Sequence, residues 1–303
     1  MTILVAGATG LAGSAIYREL LKVGEKVVGI SSKEVDLLDR KATFEYLKYL
    51  KPKVVIDAAA KVGGISTNNN FPVEFLSENI RIQTNLMDAS HDTDVSKFIF
   101  LASSCVYPKN CPQPIKEEYV LTGPLEPTNS AYAVAKISGI ELIKSYRRQF
   151  GHKWISVMPT NLYGPNDNFD LESSHVFPAL IRKLIDAKNS GAKSVTLWGS
   201  GKPKREFLHA DDLARAIVVC LEKYDSDQHI NIGTGLDLTI EELSLKIAKS
   251  VGFSGEVIWD SNKNDGTLQK VLDIKQISDL GWKPSISLEV GINLTVEWYL
   301  KNK

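Results

Sequence analysis

The sequence predicts an α/β protein, a doubly wound parallel sheet joined to a smaller α/β lobe, and three observations carry this expectation. Short apolar runs of strand length alternate with longer stretches of helical periodicity. A glycine-rich turn separates the first run from the first such stretch, and the alternation weakens around 163–174. The strand interiors are uncharged, as in a parallel sheet that helices cover on both faces.

The run at 2–6 stops at Gly7, and Leu11, Ala15, Ile16, Leu20 and Val23 then share one face of a helix over 11–23. The pattern repeats as strands at 26–30, 53–57 and 97–102, with helices at 41–50 and 73–89 between them. A long helix at 132–150 and a strand at 154–158 follow. Segment 163–174, rich in Gly, Pro, Asn and Asp, reads as loop-built. Helices at 240–251 and 288–300 no longer alternate strictly with strands, which suggests a second lobe over the carboxyl edge of the sheet. The expected division is 1–160 with about 207–235 in the first unit, and 161–206 with 236–303 in the second.

A chain of 303 residues with 43% apolar content can bury a full core. Lys plus Arg and Asp plus Glu both total 36, so no global field would draw it to nucleic acid or an anionic membrane, and an anionic ligand must be held locally. The opening apolar run lacks the flanks of a signal peptide, and no segment has the length to span a bilayer, so a soluble cytoplasmic protein is expected. Cys105, Cys111 and Cys220 form no Cys-x-x-Cys pair, which predicts free thiols and no metal site.

The first turn reads Gly7-Ala8-Thr9-Gly10-Leu11-Ala12-Gly13. Backbone amides there can approach a pyrophosphate, and the helix N-terminus adds partial positive charge. Such turns also serve packing, but between a strand and a helix dinucleotide binding is the better reading. Tyr132-Ala133-Val134-Ala135-Lys136 stacks a phenol and an ammonium on one helix face, where the ammonium would favour the phenolate. That pair is common on solvated helices. Joined to the glycine turn and to Ser103 at a strand end, it points to carbonyl reduction, with Tyr132 giving the proton to oxygen.

Further blocks carry a more specific resemblance. Ala60-Lys61-Val62-Gly63-Gly64-Ile65, Ser103-Ser104-Cys105-Val106-Tyr107-Pro108-Lys109, Pro159-Thr160-Asn161-Leu162-Tyr163-Gly164-Pro165 and Arg205-Glu206-Phe207-Leu208-His209 are similar to segments of the GDP-L-fucose synthases. Asp167-Asn168-Phe169-Asp170, Ser174-His175-Val176 and Asp265-Gly266-Thr267 extend the match over nearly the whole chain. These are extended short-chain dehydrogenases/reductases, with a Rossmann-type sheet and a smaller substrate-binding lobe. The resemblance implies that GDP-4-keto-6-deoxy-D-mannose is inverted at C3 and C5 and then reduced at C4 with NADP(H). A ketone acidifies the neighbouring C–H bonds, so one base and one acid on opposite ring faces suffice for inversion. By resemblance Cys105 is the base and His175 the acid, the thiolate being favoured if Lys109, His175 or nearby dipoles lower its pKa. From the residues alone, Cys105 is equally a small core residue and His175 a solvated loop histidine. Cys111 and Cys220 read as structural.

The resemblance also implies the binding residues. Cofactor contacts would come from the turn (Gly7, Ala8, Thr9, Gly10, Leu11, Ala12 and Gly13), from Ser32 and Lys33, and from Leu101, Ala102, Ser103 and Ser104. Tyr132, Lys136, Pro159, Thr160, Asn161, Leu162 and His175 would complete them. Arg205 would hold the substrate diphosphate, Lys270 would add a basic contact and Trp198 a flat face near the nucleotide, with Asn161, Val176 and Asp265 beside them. Lys183 stands where an arginine is usual and lacks its bidentate fork, and a solvated helix face is the alternative reading of Arg182 and Lys183. Ser31-Ser32-Lys33 replaces the acid that NAD-specific sites place after this strand, which favours NADP. Thr9 and Ser32 occupy places where arginines are expected beside the 2′-phosphate, so hydroxyls and Lys33 would hold it, or NADH would also be used. A 4-epimerase or 4,6-dehydratase would share the turn, Tyr132 and Lys136 but not the thiol and histidine. A non-catalytic dinucleotide-binding regulator would often lack Tyr132 and Lys136. A homodimer through the 132–150 helix is the expected assembly.

Overall fold

The computed structural model describes residues 1–262 and 265–303. The chain opens as β1 (Thr2–Ala6), α1 (Leu11–Lys22), β2 (Lys26–Ile30), α2 (Arg40–Leu50), β3 (Val54–Asp57), α3 (Ile65–Asn70), α4 (Pro72–Asp92) and β4 (Lys97–Leu101). It continues as α5 (Ser130–Phe150), β5 (Ile155–Pro159), β6 (Asn161–Tyr163), α6 (Val176–Asn189), β7 (Ser194–Trp198), β8 (Lys204–His209), α7 (Ala210–Lys223) and β9 (Ile230–Ile232). The remainder is β10 (Asp237–Thr239), α8 (Ile240–Val251), β11 (Glu256–Asp260), β12 (Gln269–Lys270), α9 (Lys275–Asp279) and α10 (Leu288–Asn302).

Six parallel strands in the order β2-β1-β3-β4-β5-β9 form the central sheet, with helices on both faces, a Rossmann-type doubly wound fold. The two-residue period of a strand divides the core. Leu4 and Ala6 of β1 pack with Leu47 of α2, Leu86 of α4 and Ile140 of α5. Ile3 and Val5 pack instead with Ile16 of α1 and Leu213 of α7. A third core, built on Tyr163, Phe177, Leu184, Phe207, Leu243 and Ile292, lies beneath β8 and helices α6, α8 and α10. This second lobe meets the first at the carboxyl end of β3, where the Gly64 amide donates to the Ser173 carbonyl at 2.9 Å.

Local signals explain the element ends. Asp39 caps α2 by accepting from the Ala42 amide, Pro72 opens α4 where no amide donor is needed, and Thr239 with Glu242 forms a capping box on α8. The expected strands and helices of the first 158 residues are present, with ends shifted by up to three residues. The periodicity does not reveal α3, because Ser66 to Asn70 are all polar. Side-chain bonds hold that helix, the Asn68 amide group donating to the carbonyls of Gly63 and Gly64 at 2.7 and 3.0 Å and the Thr67 hydroxyl to the distant Glu172 carbonyl at 3.1 Å.

One buried acid ties the two lobes together. The Glu206 carboxylate of β8 is fully buried and accepts the backbone amides of Thr234, Gly235 and Leu272. Its own carbonyl accepts from Asn161 at 2.8 Å and from Thr160 at 3.3 Å. Glu206→Leu would strand three buried donors, and removing one side of a buried charged network costs about 3–5 kcal/mol. We expect urea unfolding to show a loss of that size, with the first core unfolding apart from the second.

Candidate active site

The glycine turn at the carboxyl end of β1 leaves room for nothing but backbone. Gly7 has φ +76°, and a Cβ there would lie 2.8 Å from the Ala58 carbonyl oxygen, while a Cβ on Gly13 would lie 2.1 Å from the Gly7 carbonyl oxygen. Gly10 supplies no side chain to cap α1, so the first amides of that helix are left for an anion. These features fit a dinucleotide pyrophosphate.

At the end of β2 the structure adds to the sequence reading. No acid directly follows the strand, but Glu34 lies just past Ser31-Ser32-Lys33, and its carboxylate folds back to accept the Ser31 amide at 2.7 Å and the Ser31 hydroxyl at 2.6 Å. The Ser31 hydroxyl bond, then the amide bond, lowers its pKa. The Ser31-x-x-Glu34 spacing, that of a capping box, was the available signal. Ser32 and Lys33 lie on the same turn.

Beyond β4, Ser103 adopts an extended conformation and starts a short 3-10 turn over Ser104–Val106, which buries Cys105. Lys136 of α5 is buried, and its ammonium donates to the Leu101 carbonyl at 2.8 Å and sits 4.7 Å from the Phe100 ring centroid. The Tyr132 ring centroid is 5.9 Å from the same ammonium. The expected pull of Lys136 on the Tyr132 phenol has no direct hydrogen bond behind it in this geometry. The ammonium is engaged at the strand end, while burial, helped by the charges of Cys105 and Asp57, pushes the phenol up.

Cys105 is likewise pushed up, by burial. Opposing that are Lys270 first, then the hydrogen bond from Ser103 and the charge of Lys136. Neither Lys109 nor His175 is among the main influences on the Cys105 thiol. Lys109 pairs with Glu126 at 3.4 Å, and His175 stands at the N-cap position of α6 without a side-chain bond to the helix. His175 and neighbouring Val176 are both exposed at the start of that helix. Cys220 is buried in α7 and Cys111 partly buried near Lys270.

Around the second lobe, Arg205 of β8 is paired in register with Lys270 of β12. Its guanidinium donates to the carbonyls of Lys204 at 2.8 Å and Asp265 at 3.4 Å. The Asp265 carboxylate accepts the Ser200 amide and hydroxyl, both at 2.7 Å, and so fixes the turn after Trp198. Trp198 is 56% exposed, and the Lys183 ammonium stands 5.3 Å from its ring centroid, a geometry for cation–π attraction. Arg182 separates from Lys183 by bonding the Phe169 carbonyl at 3.0 Å. Asn161 spends its amide group on Glu206, beside Thr160 and Leu162. The structure thus groups Ser103, Cys105, Tyr132, Lys136 and Lys270 around one end of the sheet, and Lys183 with Trp198 on a separate platform. Sequence reasoning also missed Asp57, whose signal was an acid closing the apolar run Val54-Val55-Ile56.

The chain is similar to known proteins over nearly its whole length. The model of the NAD dependent epimerase/dehydratase family matches residues 3–233. The chain is 50% identical to the putative GDP-L-fucose synthase 2 of Arabidopsis thaliana, over 99% of this chain and 92% of that one. It is 46% identical to the GDP-L-fucose synthase of Escherichia coli (strain K12), over 99% and 97% of the two chains. The crystal structure of a GDP-L-fucose synthetase from Naegleria fowleri bound to NADP aligns with a TM-score of 0.91 at 32% identity, covering 99% of this chain and 94% of that one.

Glu34 supplies the prediction from this geometry. A carboxylate at the end of β2 repels a ribose 2′-phosphate and accepts from ribose hydroxyls, so Glu34→Gln is expected to raise the NADPH to NADH affinity ratio roughly three- to ten-fold. Fluorescence titration with both dinucleotides measures it; an unchanged ratio would show that the phosphate lies elsewhere.

Proposed function

The chain belongs to the NAD dependent epimerase/dehydratase family, and we propose that within it the protein works as a GDP-L-fucose synthase. It would invert C3 and C5 of GDP-4-keto-6-deoxy-D-mannose and reduce the C4 ketone. The observation that carries this reading is the thiol. Reduction alone needs Tyr132, Lys136 and Ser103, whereas Cys105 adds a group that can take a carbon-bound proton and stands under the influence of both Lys270 and Lys136. Relatives that share the activity in their names cover nearly the whole chain.

When bound on the Gly7 turn, NADPH supplies the hydride for C4. Arg205 and Lys270 then hold the negative substrate diphosphate, and Trp198 with Lys183 offers a face to the nucleotide. Cys105, once ionised, removes the proton from C3 and, after passing that proton to solvent while His175 is reprotonated from solvent, the proton from C5, each carbanion delocalising onto O4. His175 returns a proton to the opposite face. Tyr132 donates its phenolic proton to O4 as the hydride arrives, and Lys136 and Ser103 support the phenolate that remains. The division of labour follows the chain: residues 1–160 with about 207–235 bind the dinucleotide, and 161–206 with 236–303 bind the sugar nucleotide. A cytoplasmic homodimer across α4 and α5, which expose Val73, Val134 and Phe150, belongs to the same reading.

Incubation with GDP-4-keto-6-deoxy-D-mannose and NADPH, with product stereochemistry read by NMR, tests the reading; a product with unchanged C3 and C5 sinks it. The two half-reactions should also fail separately. Tyr132→Phe is expected to slow reduction by about a hundred-fold or more, the usual contribution of a positioned acid, while deuterium from heavy water still enters C3 and C5. Cys105→Ala should abolish that exchange and leave slow reduction to an unepimerised sugar. Normal GDP-L-fucose formation by Cys105→Ala would remove the thiol from the base's role.

A further inference from the structure

Asp57 is the last residue of β3 and is fully buried, a costly place for a carboxylate. It pairs in register with Ala6 of β1 and Phe100 of β4, and paired residues of a parallel sheet point to the same face. Val55, two residues earlier, and Phe100 both belong to the core beneath α4 and α5. The Asp57 side chain therefore points toward α5. On that face the Lys136 ammonium donates to the carbonyl of Leu101, the residue after Phe100, and lies over the Phe100 ring. Adjacent strands are about 4.8 Å apart, so acid and ammonium are neighbours across β3 and β4. Asp57 Oδ1 accepts the Ala59 amide at 3.1 Å, while Oδ2 is buried without a hydrogen-bond partner.

We propose that Asp57 is the buried counter-ion of Lys136, a positioning residue that keeps the ammonium charged at the strand ends within reach of Tyr132. The inference rests on the reading of Lys136 and Tyr132 as the reducing pair. The charge balance supports it from both sides. Burial raises the Asp57 carboxyl to about 6 against the pull of Lys136, and burial lowers Lys136 against the pull first of Asp57 and then of Cys105. The groups that face Lys136 are Asp57 from β3, Cys105 from the turn after β4 and Tyr132 from its own helix, with Lys270 beyond Cys105. Asp57, at about 6, is the acid among them that ionises most readily, since burial pushes the thiol and the phenol up. Without it the ammonium would be a buried cation facing only a raised thiol and a raised phenol.

The test uses the whole protein and NADPH, whose fluorescence gives its affinity without any sugar. Between about pH 6 and about pH 10.5 the affinity should fall as Lys136 loses its proton and attracts the anionic cofactor less. Asp57→Asn should move that fall down by roughly one pH unit or more, the effect of removing an opposite charge at short range. Lys136→Met should abolish it whether or not Asp57 is also replaced. In single-turnover reduction near about pH 9, Asp57→Asn is expected to cost about ten-fold in a Lys136 background and less than about two-fold beside Lys136→Met. A fall that stays in place, or equal slowing in both backgrounds, overturns the assignment. Asp57→Ser, which keeps an acceptor for the Ala59 amide, serves if Asp57→Asn does not fold. If the wild type binds NADPH with the expected fall but leaves the 4-keto sugar unreduced, the substrate reading has failed, and the cofactor titration alone decides the role of Asp57.

Discussion

The buried carboxylate of Glu206 is the constraint on which the arrangement depends. Two backbone segments end on its oxygens, the turn after β9 and the residues just past β12, while the main-chain carbonyl of the same residue accepts the Thr160 and Asn161 side chains where β5 meets β6. The amides of Thr234, Gly235 and Leu272 take that carboxylate as their acceptor, and an unpaired buried amide is expensive. A carboxylate, with two oxygens and no donor, satisfies several amides at one point, where an amide or hydroxyl side chain would offer fewer acceptors. Because Arg205 precedes Glu206 and Lys270 closely precedes Leu272, the same clamp fixes the two basic residues of the second lobe against the first.

Charge in the site is governed by competition between burial and neighbours. For Cys105, Tyr132, Lys136 and Lys270 burial is the largest influence, and it favours the neutral form of each. A pair of unit charges about 5 Å apart gains only about 3 kcal/mol at an effective dielectric of about 20, which is comparable to the cost of removing one charge from water. No single partner therefore ionises the thiol. Lys270, Ser103 and Lys136 act together, and each ammonium in turn gains from a thiolate, so proton loss from Cys105 and proton retention on the lysines are coupled. The phenol, with Cys105 and Asp57 both raising it, keeps its proton until an acceptor arrives.

The outline of the fold was legible in the sequence because its signals are local. Strand length, helical period and glycine spacing depend on residues that touch their own neighbours along the chain, and β1, α1, β2, α5 and the Gly7 turn follow from them directly. α3 did not, since its polar residues take their order from bonds to Gly63 and Gly64 rather than from a buried stripe. The thiol and histidine were legible only through resemblance, because a single Cys or His has no pattern of its own.

What the tertiary structure alone decided is who faces whom. The sequence set Tyr132 and Lys136 four residues apart, but the end of β4 determined that the ammonium turns to Leu101 and not to the phenol. Lys270, far along the chain from Cys105, became its chief charged neighbour, and Lys109, only four residues away, paired with Glu126. Glu34 reached back to Ser31, Lys183 found Trp198, and Asp57 was brought beside Lys136 by strand register. Spacing along a helix or strand fixes geometry within one element. Electrostatics falls off with distance through space, so the charge state of every site residue depended on which elements the sheet order and the Glu206 clamp drew together.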